Sequence, residues 1–350
     1  MHIKIFKTTT PKPFIRGVLF ILASVVVVLL FAFERDASGQ VVPNLPPPPV
    51  PVAPDPTPSN APGRTTADDE VIRVTSNLIS VPVSVTNVQG EPVQGLVAKD
   101  FRLEEEGRLR EIAQIGDPDQ VPVELALLVD VSGSTRGRFT FQREAATRFL
   151  KGVLRPSDRA TIFAIDVRPR LEQTRTDANQ AVAKLAGIEP TRQPTAFYDT
   201  VAEAARYLQR ETPGRHRRVI VAISDGEDTY SQELQTIQAA LAEVQRADAV
   251  FYSINPSGQA LRLNIISRRG QNEMETLAGG TGGGAFIPEA IEDLDEVFGR
   301  IAAELRSQYL LGYYTRNDAK PGAFLRIKVT VPEKPELRIR ARQGFYNPGR

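Results

Sequence analysis

The sequence predicts an α/β fold: a doubly wound, mostly parallel sheet, flanked by a small N-terminal β unit and a C-terminal β segment. Runs such as residues 125–129 are apolar at every position, which is typical of strands buried on both faces of a parallel sheet. Between residues 123 and 308 such runs alternate with segments of helical periodicity, which indicates βαβ units. On either side, apolar residues recur at every second position, as in antiparallel strands.

Residues 1–39 have the pattern of an export signal or a membrane anchor. Four basic residues between positions 4 and 16 precede an uninterrupted apolar segment at residues 18–33. Small residues at 37–39 suit a signal peptidase, so cleavage there and membrane anchoring by residues 17–33 both stay open. The preceding positive charge predicts that the folded part is exported: it is periplasmic, extracellular, or anchored in the cytoplasmic membrane and facing outward.

A small β domain is predicted after a proline-rich linker. Residues 40–70 contain closely spaced prolines, which favour an extended spacer. Within residues 71–116 the pattern changes to alternation, and a turn at 105–107 separates two expected hairpin arms at 101–104 and 109–115.

Residues 123–308 form the predicted α/β domain. Its strands are predicted at residues 123–129, 160–165, 218–224, 249–254 and 284–287, with a short edge strand at 169–173. Its helices are predicted at residues 141–154, 177–187, 196–209, 233–246, 274–278 and 289–306. The first of these helices has an expected apolar face of Phe141, Ala145, Phe149 and Val153.

A glycine-rich run lies near the end of this domain, and a β-rich segment follows the domain. The run at 279–284 predicts a flexible turn, because it lacks the Gly-Lys-Ser/Thr of a phosphate-binding loop. Three strands are expected within residues 309–350, at 309–315, 323–331 and 337–343. They either complete the N-terminal β unit or extend the edge of the sheet, and the sequence leaves both arrangements open.

The composition excludes several kinds of site. The chain has no cysteine, so disulfides, thiolate zinc sites and cysteine nucleophiles are excluded. Its only histidines are His2 and His216, which argues against a histidine-based catalytic centre or zinc site. The net charge of +1 gives no overall field that favours nucleic acid.

Oxygen-bearing side chains follow two of the predicted buried strands. Asp130, Ser132 and Ser134 come at the end of the first strand, and Asp225 follows the strand at 218–224. Because ligands of an open α/β sheet bind at the carboxyl ends of its strands, both acids lie on the expected binding edge. Hard oxygen ligands suit Mg²⁺ or Mn²⁺ better than Zn²⁺.

Each of these residues also has a purely structural interpretation. Asp130 and its serines are compatible with a capping turn, and Thr195 with a helix cap. Asp225 fits an Asp-Gly turn, and Glu227 and Asp228 are expected to be solvated acids near the next helix.

The five-residue pattern Asp130-Val-Ser132-Gly-Ser134 resembles the first part of the metal-ion-dependent adhesion site (MIDAS) of von Willebrand factor type A domains. In that family a threonine before a helix supplies a third hydroxyl, and the acid of a Ser/Thr-Asp-Gly at a strand end supplies a second carboxylate. The matching positions are Thr195 and Asp225. The resemblance therefore implies a metal site of Asp130, Ser132, Ser134, Thr195 and Asp225. Pro194 departs from the glycine expected there.

The flanking regions extend the resemblance. Residues 83–96, the pairs Asp100-Phe101 and Glu106-Gly107, and the tail at 308–314 and 340–348 are similar to a bacterial family of "VWFA-related" proteins. The resemblance implies an exported interaction module, not an enzyme, that binds an acidic residue of a protein ligand through Mg²⁺ or Mn²⁺. No catalytic residue and no organic cofactor are expected.

Two other interpretations stay open. One is a structural exported module whose ion only stabilises a loop. The other is a metal-dependent phosphatase of the haloacid-dehalogenase type, whose nucleophilic Asp also ends a first strand. That enzyme class needs an acid two positions later, where this chain has Ser132, and a late lysine, which residues 249–289 lack.

Overall fold

The computed structural model describes residues 77–133, 136–258, 265–315 and 319–347. All of them belong to one compact unit, Glu70–Arg350. The predicted export segment at 1–39, the linker at 40–70 and Ser134 lie outside the described residues. In the part of the chain that the structure describes, no helix is both long and apolar enough to cross a membrane.

Strands and helices follow one another along the chain in the order that the sequence predicts. The strands are β1 (Asn77–Thr86), β2 (Arg102–Glu105), β3 (Arg108–Arg110), β4 (Ile112–Gly116), β5 (Val123–Asp130), β6 (Arg159–Ile165), β7 (Arg170–Thr176), β8 (Arg217–Ile223), β9 (Ala249–Ile254), β10 (Ala285–Phe286), β11 (Tyr309–Thr315), β12 (Phe324–Thr330), β13 (Arg338–Ala341) and β14 (Gly344–Tyr346). The helices are α1 (Phe139–Val153), α2 (Ala178–Ala186), α3 (Phe197–Glu211), α4 (Ile237–Arg246), α5 (Ile265–Thr281) and α6 (Leu294–Ser307).

A six-stranded sheet forms the centre of the molecule, in the order β10-β9-β8-β5-β6-β7. Five strands are parallel, and β7 pairs antiparallel with β6 at the edge. Every residue of β5 is buried, because helices cover both faces of the sheet. The predicted α/β class with a mostly parallel, doubly wound sheet is confirmed.

Alternate residues of β5 supply the two hydrophobic cores. Leu125, Leu127 and Val129 pack with α1, α2 and α6 on one face, while Ala126 and Leu128 pack with α3, α4 and α5 on the other. Each fully buried leucine stabilises the fold by about 1.5–3 kcal/mol relative to an exposed one. The sheet therefore holds the carboxyl ends of β5 and β8 in fixed positions.

Two antiparallel sheets pack beside this domain, in the orders β13-β1-β11-β4 and β14-β12-β2-β3. Each contains strands from before and after the α/β domain, for example β1 paired with β11 and β2 paired with β12. Val81, Val83 and Val85 of β1 are buried in their common core. Of the two arrangements left open by the sequence, the C-terminal strands thus complete the N-terminal β unit.

A buried polar cluster joins the β sheets to the α/β domain. The carboxylate of Glu304 on α6 accepts hydrogen bonds from Ser84 Oγ at 2.6 Å and from the hydroxyl of Tyr252 at 2.9 Å. Arg340 on β13 forms an ion pair with the other oxygen of Glu304. One helix residue is therefore held by three strands, β1, β9 and β13.

The predicted boundaries are wrong at several helices. α1 begins at Phe139 rather than at residue 141. Phe141 is 48% exposed, so the buried face of α1 contains Phe139 and not Phe141. α4 begins only at Ile237, because the carboxylate of Asp199 accepts the backbone N–H groups of residues 232–234 and holds them in a turn. α6 likewise begins at Leu294 rather than 289.

The helix predicted at residues 274–278 is much longer, since α5 spans Ile265–Thr281. Its last residues include Gly279 and Gly280, which the sequence indicated as a turn. Gly280 lies where α5 meets α4: a Cβ there would lie 2.7 Å from Leu241 Cδ1, so a larger residue would require the Leu241 side chain to move. The glycine that allows this packing also weakens the helical pattern in the sequence.

Candidate functional site

The candidate site lies where β5 and β8 end side by side. The two strands are parallel and in register up to the pair Val129 and Ile223, so the next residues, Asp130 and Ser224, are neighbours. Asp225 follows at the same edge of the sheet. All three are at most 5% exposed. The structure thus places the two predicted carboxylates close together at the carboxyl edge of the sheet.

Asp130 is held by hydrogen bonds to both of its oxygens. Oδ1 accepts the backbone N–H of Ser132 at 2.9 Å, and Oδ2 accepts the hydroxyl of Ser224 at 2.6 Å. The hydroxyl oxygen of Ser224 in turn accepts the N–H of Gly226 at 3.0 Å. Ser224 therefore orients Asp130 and also holds the loop that carries Asp225. The sequence did not reveal this role.

The electrostatics of the pair favour a positive charge between the acids. Burial, and then the negative charge of Asp225, raise the pKa of Asp130 to about 6, against partial compensation by hydrogen bonds from Ser132 and Ser224. The group is therefore harder to ionise than an ordinary aspartate. A bound cation would stabilise the ionised form of both acids.

Thr195 is fixed through its backbone to the loop that follows β8. Its N–H donates to Thr229 Oγ1 at 2.9 Å, and its carbonyl oxygen accepts the N–H groups of Thr229 at 2.9 Å and Tyr230 at 3.0 Å. Thr195 is 6% exposed and precedes α3 by two positions, as predicted. Thr229, a second residue that the sequence did not single out, links the Thr195 loop to the Asp225 loop.

A further contact brings the loop before Thr195 against the loop after Asp130. The N–H of Thr191 donates to the carbonyl oxygen of Val131 at 2.5 Å. A Cβ placed on Gly133 would lie 3.9 Å from Arg192 Cα. The loops carrying Asp130 and Ser132 on one side and Thr195 on the other are therefore in direct contact.

The loop of Asp225 packs against α5 through two glycines. A Cβ on Gly226 would lie 2.6 Å from the carbonyl oxygen of Gly270, and Gly226 has a φ of +76°. Asn255 Nδ2 also donates to the carbonyl oxygen of Asp225 at 3.5 Å. Gly270 falls in the part of α5 that the sequence did not predict as helix, so no sequence signal pointed to it.

The two acids beside Asp225 make loop contacts and are only partly exposed, whereas the sequence predicted solvated acids. Glu227 accepts the hydroxyl of Ser267 at 2.8 Å. Asp228 accepts the N–H of Tyr198 at 3.1 Å and the hydroxyl of Ser231 at 2.5 Å, and burial raises the pKa of Asp228. Both are half-buried parts of the loop that precedes α4.

The donor chemistry of the site fits a hard divalent cation. Among the described residues, no group of three or more His, Cys, Asp and Glu side chains is placed to hold a metal ion. Any ion at this edge would therefore depend on the two carboxylates together with hydroxyls such as those of Ser132 and Thr195. Such all-oxygen sets are typical of Mg²⁺ sites.

Comparison with known proteins agrees with this architecture. A sequence model of the von Willebrand factor type A domain matches residues 125–227, the stretch that contains Asp130, Ser132, Thr195 and Asp225. Among curated proteins, no sequence matches the chain.

Several solved structures are similar over about half of the chain. An aerotolerance-related membrane protein from Bacteroides fragilis is 18% identical with a TM-score of 0.42, over 52% of this chain and 98% of that chain. BatB from Bacteroides thetaiotaomicron is 15% identical with a TM-score of 0.43, over 53% and 100%. Proximal thread matrix protein 1 from the mussel byssus, with a zinc-occupied MIDAS motif, is 12% identical with a TM-score of 0.44, over 56% and 48%.

The family assignment depends on the sequence match and on the fold. Residues 125–227 begin in β5 and end in the loop after β8, so they include both strands whose ends carry the acids. The chain therefore contains a von Willebrand factor type A domain.

Proposed function

We propose that this protein is an exported protein-binding module that holds a divalent cation, Mg²⁺ or Mn²⁺, and uses it to bind an acidic residue of a protein ligand. The proposed metal ligands are Asp130, Ser132, Ser134, Thr195 and Asp225. Von Willebrand factor type A domains are known as adhesion and interaction modules, and the present chain contains such a domain.

The observation that carries the proposal is the placement of Asp130 beside Asp225. Two buried carboxylates at the ends of adjacent strands repel each other, and the pKa of Asp130 is raised to about 6 by burial and by that repulsion. An arrangement that is unfavourable for the protein alone becomes favourable once a cation lies between the acids.

The protein's own residues prepare this site in two ways. Ser224 orients Asp130 through a 2.6 Å hydrogen bond, which fixes the direction of its carboxylate group. Thr229 fixes the backbone of Thr195, so that the loop before α3 is held against the loop of Asp225. When bound, the ion supplies a coordination position that a carboxylate from a partner can fill.

The export part of the proposal depends on the sequence. A basic lead followed by an apolar segment at residues 18–33 supports export, with residues 17–33 either removed or kept as a membrane anchor. The domain order proposed from the sequence is an export segment, a proline-rich spacer, and then the binding module, which presents the site away from the membrane.

Two observations support a binding role rather than a catalytic one. His216, one of the chain's two histidines, lies beside β8 at the opposite end of the strand from Asp225, and its Nδ1 is 2.9 Å from Glu124 Oε1. Ser132 occupies the position where a haloacid-dehalogenase-type phosphatase needs its second acid.

Calorimetry on the full-length chain tests the proposal. Mg²⁺ and Mn²⁺ are titrated with and without a short capped peptide that contains one aspartate. We expect metal binding that the peptide tightens, loss of binding in Asp130→Ala and Asp225→Ala, and normal binding in Asp295→Ala, whose carboxylate is 53% exposed on α6.

Two results would contradict the proposal. Metal binding that is indifferent to the peptide would favour a structural ion. A chain that binds neither metal, while giving a normal circular dichroism spectrum, would rule out the metal site.

A further inference from the structure

We infer that the partner carries a second acidic group next to the carboxylate that binds the metal, and that Arg192, supported by Arg168 and Arg136, receives it. This inference rests on the proposed metal-dependent binding and adds which class of ligand the site selects. The three arginines are exposed and lie in segments next to the candidate site: the turn before α1, the turn after β6 and the loop before Thr195.

Arg192 is the arginine whose position the structure fixes most firmly. Its Cα lies 3.9 Å from the position that a Cβ on Gly133 would occupy, so it borders the loop that carries Ser132. The preceding Thr191 anchors this position: its N–H bonds to Val131, and its Oγ1 accepts the N–H of Gln193 at 3.3 Å. The backbone is therefore held at the site while the guanidinium extends into solvent.

Arg168 and Arg136 lie in segments that follow the ends of β6 and β5. β6 is parallel to β5 and in register with it up to the pair Ile165 and Asp130, so Arg168, three residues later, belongs to the same sheet edge. Arg136 opens the helical turn between the Ser132 loop and α1. Among the ion pairs of the described residues, none includes Arg136, Arg168 or Arg192.

The side of the site next to β8 carries two partly buried acids. Glu227 and Asp228 lie in the loop after β8, where each accepts hydrogen bonds from neighbouring residues. Arg268 and Arg269 are exposed next to Gly270, which packs against this loop, so the β8 side carries charges of both signs, whereas the β6 side carries the three arginines. This asymmetry would fix the direction in which an acidic segment crosses the site.

The expected gain is modest because the arginines are exposed. A solvent-exposed contact between a guanidinium and a carboxylate changes affinity by up to about fivefold. A peptide with two aspartates also gains about twofold from having two carboxylates that can reach the ion, so its total preference over a one-aspartate peptide is about tenfold.

The test compares two short capped glycine peptides, one with a single aspartate and one with two adjacent aspartates. Their dissociation constants for the full-length, Mg²⁺-saturated chain are measured by NMR titration at low salt, about 20 mM, where exposed charges are least screened. We expect the wild type to prefer the two-aspartate peptide about tenfold and Arg192→Gln to prefer it only about twofold. Mg²⁺ affinity, measured by calorimetry, stays unchanged in this variant.

Arg210→Gln is the matched control. Arg210 is exposed to 58% and lies near the end of α3, about 20 Å along the helix from the Thr195 loop. We expect this variant to keep the full preference of the wild type.

The outcomes separate this inference from the proposed function. Equal preference in wild type and Arg192→Gln, with Mg²⁺ binding intact, overturns the inference and leaves the metal site standing. Loss of the preference in Arg210→Gln as well would mean that net charge, not the position of Arg192, controls it, and this too overturns the inference. Absence of Mg²⁺ binding in the wild type defeats both.

Discussion

Gly226 and Gly270 face each other so closely that neither position has room for a side chain. A Cβ on Gly226 would lie 2.6 Å from the carbonyl oxygen of Gly270, and a Cβ on Gly270 would lie 2.6 Å from the carbonyl oxygen of Asp225. The backbone of α5 thus limits where the loop that carries Asp225 can lie. The position of Asp225 depends on a residue 45 positions later in the chain.

Gly270→Ala should therefore move the Asp225 loop. The added methyl group collides with backbone atoms, so we expect a loss of about 1–3 kcal/mol in the free energy of unfolding and weaker Mg²⁺ binding. Urea unfolding and calorimetry measure the two effects. Gly279→Ala is the control in the same helix, since a Cβ there meets no atom within 4 Å, and it should stabilise the fold by about 0.5–1 kcal/mol. Equal effects of the two substitutions would refute this account.

Ser224→Ala should weaken metal binding without removing a proposed ligand. The variant loses the 2.6 Å hydrogen bond that orients Asp130, and loss of such a supporting contact lowers metal affinity by about 10–100-fold. Calorimetry with Mg²⁺ measures the change. In Ser253→Ala the substituted hydroxyl lies buried on β9 without a hydrogen-bond partner among the described residues, so Mg²⁺ affinity should stay at the wild-type value. Unaltered Mg²⁺ affinity in Ser224→Ala would show that Asp130 needs no such support.

The stability of the metal-free protein should fall between about pH 4 and pH 6. The pKa of Asp130 is about 6 in the folded protein against 3.8 for an ordinary aspartate, so in this range the folded state binds more protons than the unfolded state. The stability that protonated Asp130 contributes to the folded state is fully present below pH 3.8, the pKa of an ordinary aspartate. It is lost as the pH rises through about 6, the pKa of Asp130 in the folded protein. The loss amounts to about 3 kcal/mol.

Urea unfolding in chelator at pH 4.5 and pH 7, on wild type and Asp130→Asn, isolates this effect. Groups outside the Asp130–Asp225 pair have the same surroundings in both proteins, so the difference between them reports on that pair of carboxylates. We expect the wild type to lose more stability than the variant on going to pH 7. A parallel change in the two proteins would argue against the raised pKa.

Glu304→Ala should loosen the junction between the β sheets and the α/β domain. It leaves Arg340 without its carboxylate and removes the acceptor of Ser84 and Tyr252, which should cost about 3–5 kcal/mol. Asp295→Ala, on the same helix, breaks only an ion pair whose partners are each 53% exposed and should cost less than about 1 kcal/mol. Thermal unfolding compares the variants. Similar melting temperatures for both would mean that the buried cluster contributes little.

The sequence predicts the centre of this fold well because burial leaves a local signature. Residues 125–129 of β5 and 219–223 of β8 are apolar at every position, and that pattern needs no knowledge of distant residues. The pairing of β1 with β11 is different, because alternation identifies a strand but not its partner. α5 was mostly missed, since its glycines serve packing and oppose the local helical preference.

The candidate site shows the same difference between features with a local sequence pattern and features that depend on distant residues. Asp130, Ser132 and Asp225 were identified because each lies next to a recognisable strand end. Ser224, Thr229 and Gly270 act through contacts with loops that are distant in sequence, and a single sequence contains no signal for such contacts. Three of the residues expected to bind an ion can thus be read locally. Thr195 was matched only through the family resemblance, and Ser224, Thr229 and Gly270 could not be found.

The mixed origin of the antiparallel sheets has a mechanical consequence. The chain leaves them at Gly116 and returns at Leu310, and these two residues are direct cross-strand partners on β4 and β11. Tension between Gly116 and Leu310 would therefore load the ladder between these two strands before it loads the α/β domain that the chain forms between them. A stretched chain would transmit little strain to Asp130 and Asp225 until that ladder breaks.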